Sequence, residues 1–199
     1  FVNAILDHVH GEKPAADGAG GGGVKRDHPT EEGPVPELTA ANWEARCGGK
    51  RTGLCALALL DMGNVADAEG RAALLAKVAA MRDRSQARGD PYQFSWVDAA
   101  CQAEFAARFD VDRYALPTVL AYSPGKARYA RQFGSFSEDG VIEFLASVLT
   151  GRTKTAPLRA GAEGDAAPAP AADRDCAAFH AAQSGGGEAV EEEALEDDF

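Results

Sequence analysis

Cysteine is scarce in this 199-residue chain: there are four, and no two stand in a Cys-x-x-Cys pair. Chemistry that needs one thiolate at a helix N-terminus and a resolving thiol within two residues therefore has no template here. Histidine is equally thin, with four residues. His8 and His10 are two apart and cannot converge on one ion from a helix, His28 lies among glycines and prolines, and Cys176 with His180 is a lone pair. Zinc takes four convergent ligands, so no metal site is expected. No serine or cysteine stands on a sharp turn with a histidine at hand, which removes the hydrolase reading. No apolar run approaches the roughly 18 residues that cross a bilayer. There is no cluster of Lys and Arg, so neither nucleic acid nor an anionic membrane surface is an expected partner. The chain also opens without Met, basic n-region or apolar h-region; Phe1 to Leu6 reads as mid-helix, which suggests the C-terminal piece of a longer protein.

What is present is unevenly spread. Residues 160–199 hold 11 Asp and Glu against Arg174 alone, a net of −10, while the other residues sum to −1 within the total of −11. The low isoelectric point thus belongs to the tail. Residues 1–10 carry Val2, Ile5, Leu6 and Val9 at helical spacing, and Phe1, Ile5 and Leu6 repeat the spacing of Phe144, Val148 and Leu149. That echo is expected of tandem domains of one type, with residues 1–10 as the terminal helix of the preceding one. Residues 11–34, centred on Gly18 to Gly23, read as a flexible linker.

The main domain is expected over residues 35–155. Val35 to Leu38 suggests a short edge strand, and Thr39 an N-cap for a helix through Trp43 to Arg46. Leu54 to Leu60 is a continuous apolar run of strand length, the pattern of a strand buried on both faces. Leu74, Leu75, Val78 and Met81 give the next helix its inner stripe, with Arg71, Lys77 and Arg82 outside. Tyr92 to Val97 is a second central strand, followed by a helix with Cys101, Phe105 and Phe109 on one face. Leu116-Pro117-Thr118 opens a third strand, Pro124-Gly125-Lys126 turns the chain into Tyr129 to Phe133, and Ser137 caps a helix with Val141, Ile142, Leu145, Val148 and Leu149 inside. This order, β-α-β-α-β-α-β-β-α, is that of an α/β thioredoxin-like fold: a central mixed sheet flanked by helices, here between a disordered linker and a disordered tail over 156–199. In a catalytic domain of that kind a dithiol would follow the strand at Leu54 to Leu60. Here Asp61 to Glu69 contains no cysteine.

The chemistry-bearing candidates are few. Cys47 and Cys55 can be a structural disulfide, two reduced thiols, or a redox pair at an unusual interval. Cys101 reads as a small apolar filler and Cys176 as an exposed, unpaired thiol. Pro117 is expected to be cis, given its place at the mouth of a core strand. Its surroundings (Leu116, Pro117, Thr118) offer either a groove for an extended peptide, paired backbone to backbone, or a purely architectural kink. Glu188, Glu191, Glu192, Glu193, Glu196, Asp197 and Asp198 suit weak, diffuse Ca²⁺ binding or serve as a solvated tail; no other cofactor is expected.

Residues 36–157 resemble the redox-inactive thioredoxin-like domain that ends those endoplasmic reticulum protein disulfide isomerases with two catalytic domains in front of one non-catalytic domain. The resemblance rests on Lys50-Arg51-Thr52-Gly53-Leu54-Cys55-Ala56-Leu57-Ala58-Leu59-Leu60, on Ala115-Leu116-Pro117-Thr118, and on Gly134 to Leu145 with Gly151 to Pro157 after it. The acidic tail is similar to that family's end. The resemblance implies a parent that exchanges protein disulfides and assists folding in the reticulum lumen. It implies that this segment binds unfolded clients, or other folding factors, without catalysis. The Cys47–Cys55 interval looks slightly longer than the family's, and no Lys-Asp-Glu-Leu-like retention signal is visible. A dithiol oxidoreductase using Cys47 and Cys55, or a weak calcium binder, are the alternative functions.

Overall fold

β1 (Leu54–Leu60) organises the domain because both of its faces are covered and both of its edges are paired. Its Leu-Ala sequence has little intrinsic β preference; burial decides, since Cys55 to Leu60 are each at most 1% exposed. The computed structural model describes residues 31–48, 53–65, 67–159 and 168–184. The helix and linker expected over residues 1–30, and the acidic terminus beyond residue 184, lie outside the described residues.

Ahead of β1, α1 (Ala40–Trp43) starts where Asn42 Oδ1 accepts the Thr39 N–H at 2.8 Å, and it runs on into a π-helical turn over Glu44–Gly48. After β1, α2 (Ala68–Ala87) begins at Asp67, whose carboxylate accepts the Gly70 N–H at 2.7 Å, and stops before Gly89 at φ 73°. β2 (Tyr92–Asp98) then lies parallel to β1. α3 (Ala103–Ala107) and a short 3-10 turn (Arg113–Ala115) lead to β3 (Thr118–Ser123), antiparallel to β1. β4 (Arg128–Arg131) returns beside β3, and α4 (Glu138–Leu149) starts at Ser137, whose hydroxyl accepts the Gly140 N–H. β5 (Ala156–Pro157) closes the sheet on β4, giving the order β2-β1-β3-β4-β5.

Side chains of β1 alternate between two cores, as strand geometry requires. Cys55, Leu57 and Leu59 face α1 and α3, where Trp43, Phe105, Phe109 and Tyr122 form an aromatic cluster with centroid separations of 5.2 to 6.0 Å. Ala56, Ala58 and Leu60 face α2 and α4, against Val78, Met81, Val141 and Leu145.

Four expectations need correction. The edge strand at Val35 to Leu38 is reduced to a single parallel bridge from Glu37 to Trp96, because Pro34 and Pro36 leave few N–H groups for a ladder. Arg82 does not lie outside α2: it is 3% exposed, and its guanidinium donates to the Gly33 carbonyl (2.7 Å) and to Asp83, which satisfies the buried charge. The tail does not become structureless at residue 156, because β5 pairs there and α5 (Cys176–Ser184) forms further on. Nor is Cys176 a free thiol: it is bonded to Cys101.

Candidate functional site

The C-terminal ends of the parallel strands β1 and β2 and the start of β3 meet at one end of the sheet, the usual location of sites in α/β sheets. Leaving β1, Asp61 accepts the N–H groups of Gly63 and Asn64 through Oδ1, each at 3.1 Å, and this folds residues 61–65 into a turn that delivers the chain to α2. No sulfur other than that of Met62 lies in this turn. Beside it, Asp112 Oδ1 accepts from the Tyr114 and Ala115 N–H groups and shapes the 3-10 turn before the Leu116–Pro117 peptide, which is cis. Thr118 pairs with Leu59 of β1 and donates its hydroxyl to the Gln132 carbonyl at 3.1 Å. Arg113 Nε and Asp61 Oδ2, 3.4 Å apart, tie the two turns together.

Pro117 is exposed while Thr118 behind it is buried. Two aromatic side chains stand in solvent at the same end: Tyr114, 98% exposed, three residues before the proline, and Phe133, 80% exposed, where β4 leaves the sheet. The Arg131 guanidinium lies 4.6 Å from the Phe133 ring centroid. Among described side chains these are the most exposed large apolar ones, and they border an extended backbone segment. The arrangement suits an extended chain carrying apolar residues.

The far side of this end is occupied by the tail. α5 is fastened by the Cys101–Cys176 disulfide, with Cα atoms 5.5 Å apart and a sequence separation of 75. His180 Nε2 lies 2.6 Å from Asp98 Oδ2, and its ring fills the space beside Gly63: a Cβ there would collide with the imidazole. Asp98 is 4% exposed, also accepts the Cys101 N–H, and helps hold the Glu37 carboxyl above its ordinary pKa, burial of Glu37 being the larger cause.

Cys47 and Cys55 are bonded to each other, Cα to Cα 6.0 Å, both fully buried between the π-helical turn and β1. They lie at the other end of β1 from Pro117. All four cysteines are therefore in disulfides. Among the described residues no three His, Cys, Asp or Glu side chains converge as a metal site, and no helix is long and apolar enough to cross a membrane. The carboxylates from Glu188 to Asp198 are not among those described. Sequence reasoning missed His180, Asp98 and the Cys101–Cys176 bond. A buried Asp at a strand end was a weak signal; nothing local paired it with residue 180.

The class of protein is set by this fold and this end of the sheet: a thioredoxin-like domain, with a cis-proline at the mouth of β3 and no dithiol on the turn into α2. No family model matches the chain. Human protein disulfide-isomerase A6 is 30% identical over 109 residues, covering 55% of this chain and 24% of that protein. A putative protein disulfide-isomerase of Dictyostelium discoideum is 30% identical over 107 residues, covering 54% and 25%. Among solved structures, the bb fragment of ERp72 aligns with a TM-score of 0.43 and 17% identity, covering 60% of this chain and 50% of that one. The chain is thus similar to part of the protein disulfide-isomerases and spans about a quarter of the length of these relatives.

Proposed function

We propose that this domain is a non-catalytic module of a protein disulfide isomerase that binds unfolded or partly folded client chains, or other folding factors, at the sheet end around Leu116, Pro117 and Thr118. The observation that carries the reading is the turn from Asp61 to Val65. It stands beside the cis-proline, where a redox dithiol would be presented, and holds no thiol. The exposed Pro117, Tyr114 and Phe133 supply backbone and apolar surface to a passing chain. The oxidoreductase alternative is weakened by the burial of the Cys47–Cys55 pair, since exchange needs an accessible sulfur. Two disulfides fit an oxidising compartment, which supports residence in the endoplasmic reticulum lumen. The parent would exchange protein disulfides through other domains, and the acidic terminus would bind Ca²⁺ only weakly.

Insulin reduction by the chain, read by turbidity with dithiothreitol as electron source, should not exceed the rate without protein. A fluorescent peptide from a reduced, carboxymethylated protein should nevertheless bind. Turnover that disappears in Cys47→Ala would replace this reading with the oxidoreductase one. Absence of peptide binding would reduce the proline region to architecture.

A further inference from the structure

Upstream of α5 the tail is packed down, with Pro168 and Pro170 buried, but α5 itself is attached to the sheet end by one covalent bond and few other contacts. Gln102 exchanges two hydrogen bonds with the Ala171 backbone (2.9 and 3.3 Å), both solvent-exposed. Arg174 approaches Glu104 at 3.6 Å, but Glu104 is 92% exposed, so water screens the pair. The contact of His180 with Asp98 is better shielded from water than these. α5 has nine residues, Ala177, Ala178, Ala181, Ala182 and Gln183 of which are exposed, and a helix of that length is marginal by itself. The two sulfurs also differ. Cys101 is fully buried, whereas Cys176 is half-buried at the helix start. The other disulfide has both residues fully buried.

We infer that the Cys101–Cys176 disulfide is an exchange site for an external dithiol, attacked at Cys176, and that opening it releases α5 from the turn at Gly63 and from Asp98. A thiolate of the dithiol bonds to Cys176 Sγ while the Cys176–Cys101 bond breaks; Cys101 departs as a thiolate and takes up a proton, the one the attacking thiol lost. The second thiol of the reagent then attacks its partner sulfur, freeing Cys176 as a thiol and leaving the reagent as a disulfide. Two electrons pass to the cysteine pair. The closed form holds the His180 ring against Gly63; the open form uncovers that turn and the Asp98 carboxylate at the same end of the sheet as the cis-proline. The site is independent of whether the Pro117 groove binds clients.

The test is a titration of the full chain with dithiothreitol, alkylating free thiols and locating them by mass spectrometry, with amide hydrogen exchange followed in parallel. Cys101 and Cys176 should be labelled before any label reaches Cys47 or Cys55. Exchange at residues 61–65 and 176–184 should then rise about tenfold while β1 stays protected. Cys176→Ser should give the same exchange pattern without reductant. In Gly63→Ala the added methyl should loosen α5 with no thiol freed. Labelling of all four cysteines in one step together with loss of β1 protection, or selective reduction that leaves exchange at 61–65 and 176–184 unchanged, would overturn the proposal.

Discussion

Two buried tyrosines give the domain a defined alkaline limit. Tyr92 donates its hydroxyl to the Leu145 carbonyl at 3.0 Å, and burial, with a smaller push from Asp90, drives its pKa far up. Burial likewise pushes Tyr122 up to about 12, partly opposed by Arg108. A neutral acid held above its unfolded pKa stabilises fully below that value and loses the contribution as pH climbs from it toward the folded pKa. Stability should therefore be insensitive to these groups through neutrality and decline above about pH 10, where the unfolded tyrosines ionise. Urea denaturation between pH 9 and 11 should show the decline, and Tyr92→Phe should flatten it by up to about 1.4 kcal/mol per pH unit. An unchanged slope would mean that Tyr92 ionises normally in the fold. Trp43 offers a second residue-level test. Its indole Nε1 is buried with no acceptor among the described residues, so its value lies in packing against Phe105 and Tyr122. Trp43→Phe should cost only about 1–2 kcal/mol in the same measurement, because no hydrogen bond is lost.

At the scale of elements, the Cys47–Cys55 bond joins the π-helical turn to β1 across a separation of eight residues. A loop that short contributes ~2–3 kcal/mol in the chain-entropy model. The Cys47→Ala/Cys55→Ala double variant should lose about that much in denaturant titration and keep its circular dichroism, since both Cα positions stay within packed elements. Loss of the fold would assign the bond a larger part than fastening one turn. The elements also show what was legible beforehand. β1, the Pro117 strand with its hairpin, and α4 each carry their signal within ten or so residues: an unbroken apolar run, a proline at a strand mouth, a Ser cap before a helical stripe. Arg82 was misread because periodicity gives a residue's face but not whether a carbonyl such as that of Gly33 waits on it. The turn at Asp61 to Val65 was legible as a place without thiols, yet its covering by His180 was not. That contact, like Cys101–Cys176, joins segments far apart in sequence, and no local pattern encodes the pairing.

For the whole molecule, the distribution of charge and apolar surface determines how binding should behave. The chain outside residues 160–199 is nearly neutral, so steering by net charge contributes little and contacts at the sheet end must come from apolar surface and backbone. Tyr114 and Phe133 are 98% and 80% exposed and bury almost nothing within the domain, so removing them costs it almost no stability. Tyr114→Ala and Phe133→Ala should each weaken binding of the unfolded peptide by about tenfold, the loss typical of an aromatic anchor. Their melting temperatures should match that of the parent chain, and affinity should change little between 50 and 300 mM salt, about what screening of a neutral surface allows. Fluorescence anisotropy at several salt concentrations reads both effects. A steep salt dependence would move the binding surface to the acidic tail, and full affinity in both alanine variants would move it away from the cis-proline. The equal loss expected in the two variants corresponds to one chain lying across Pro117, reaching from the turn before β3 to the end of β4.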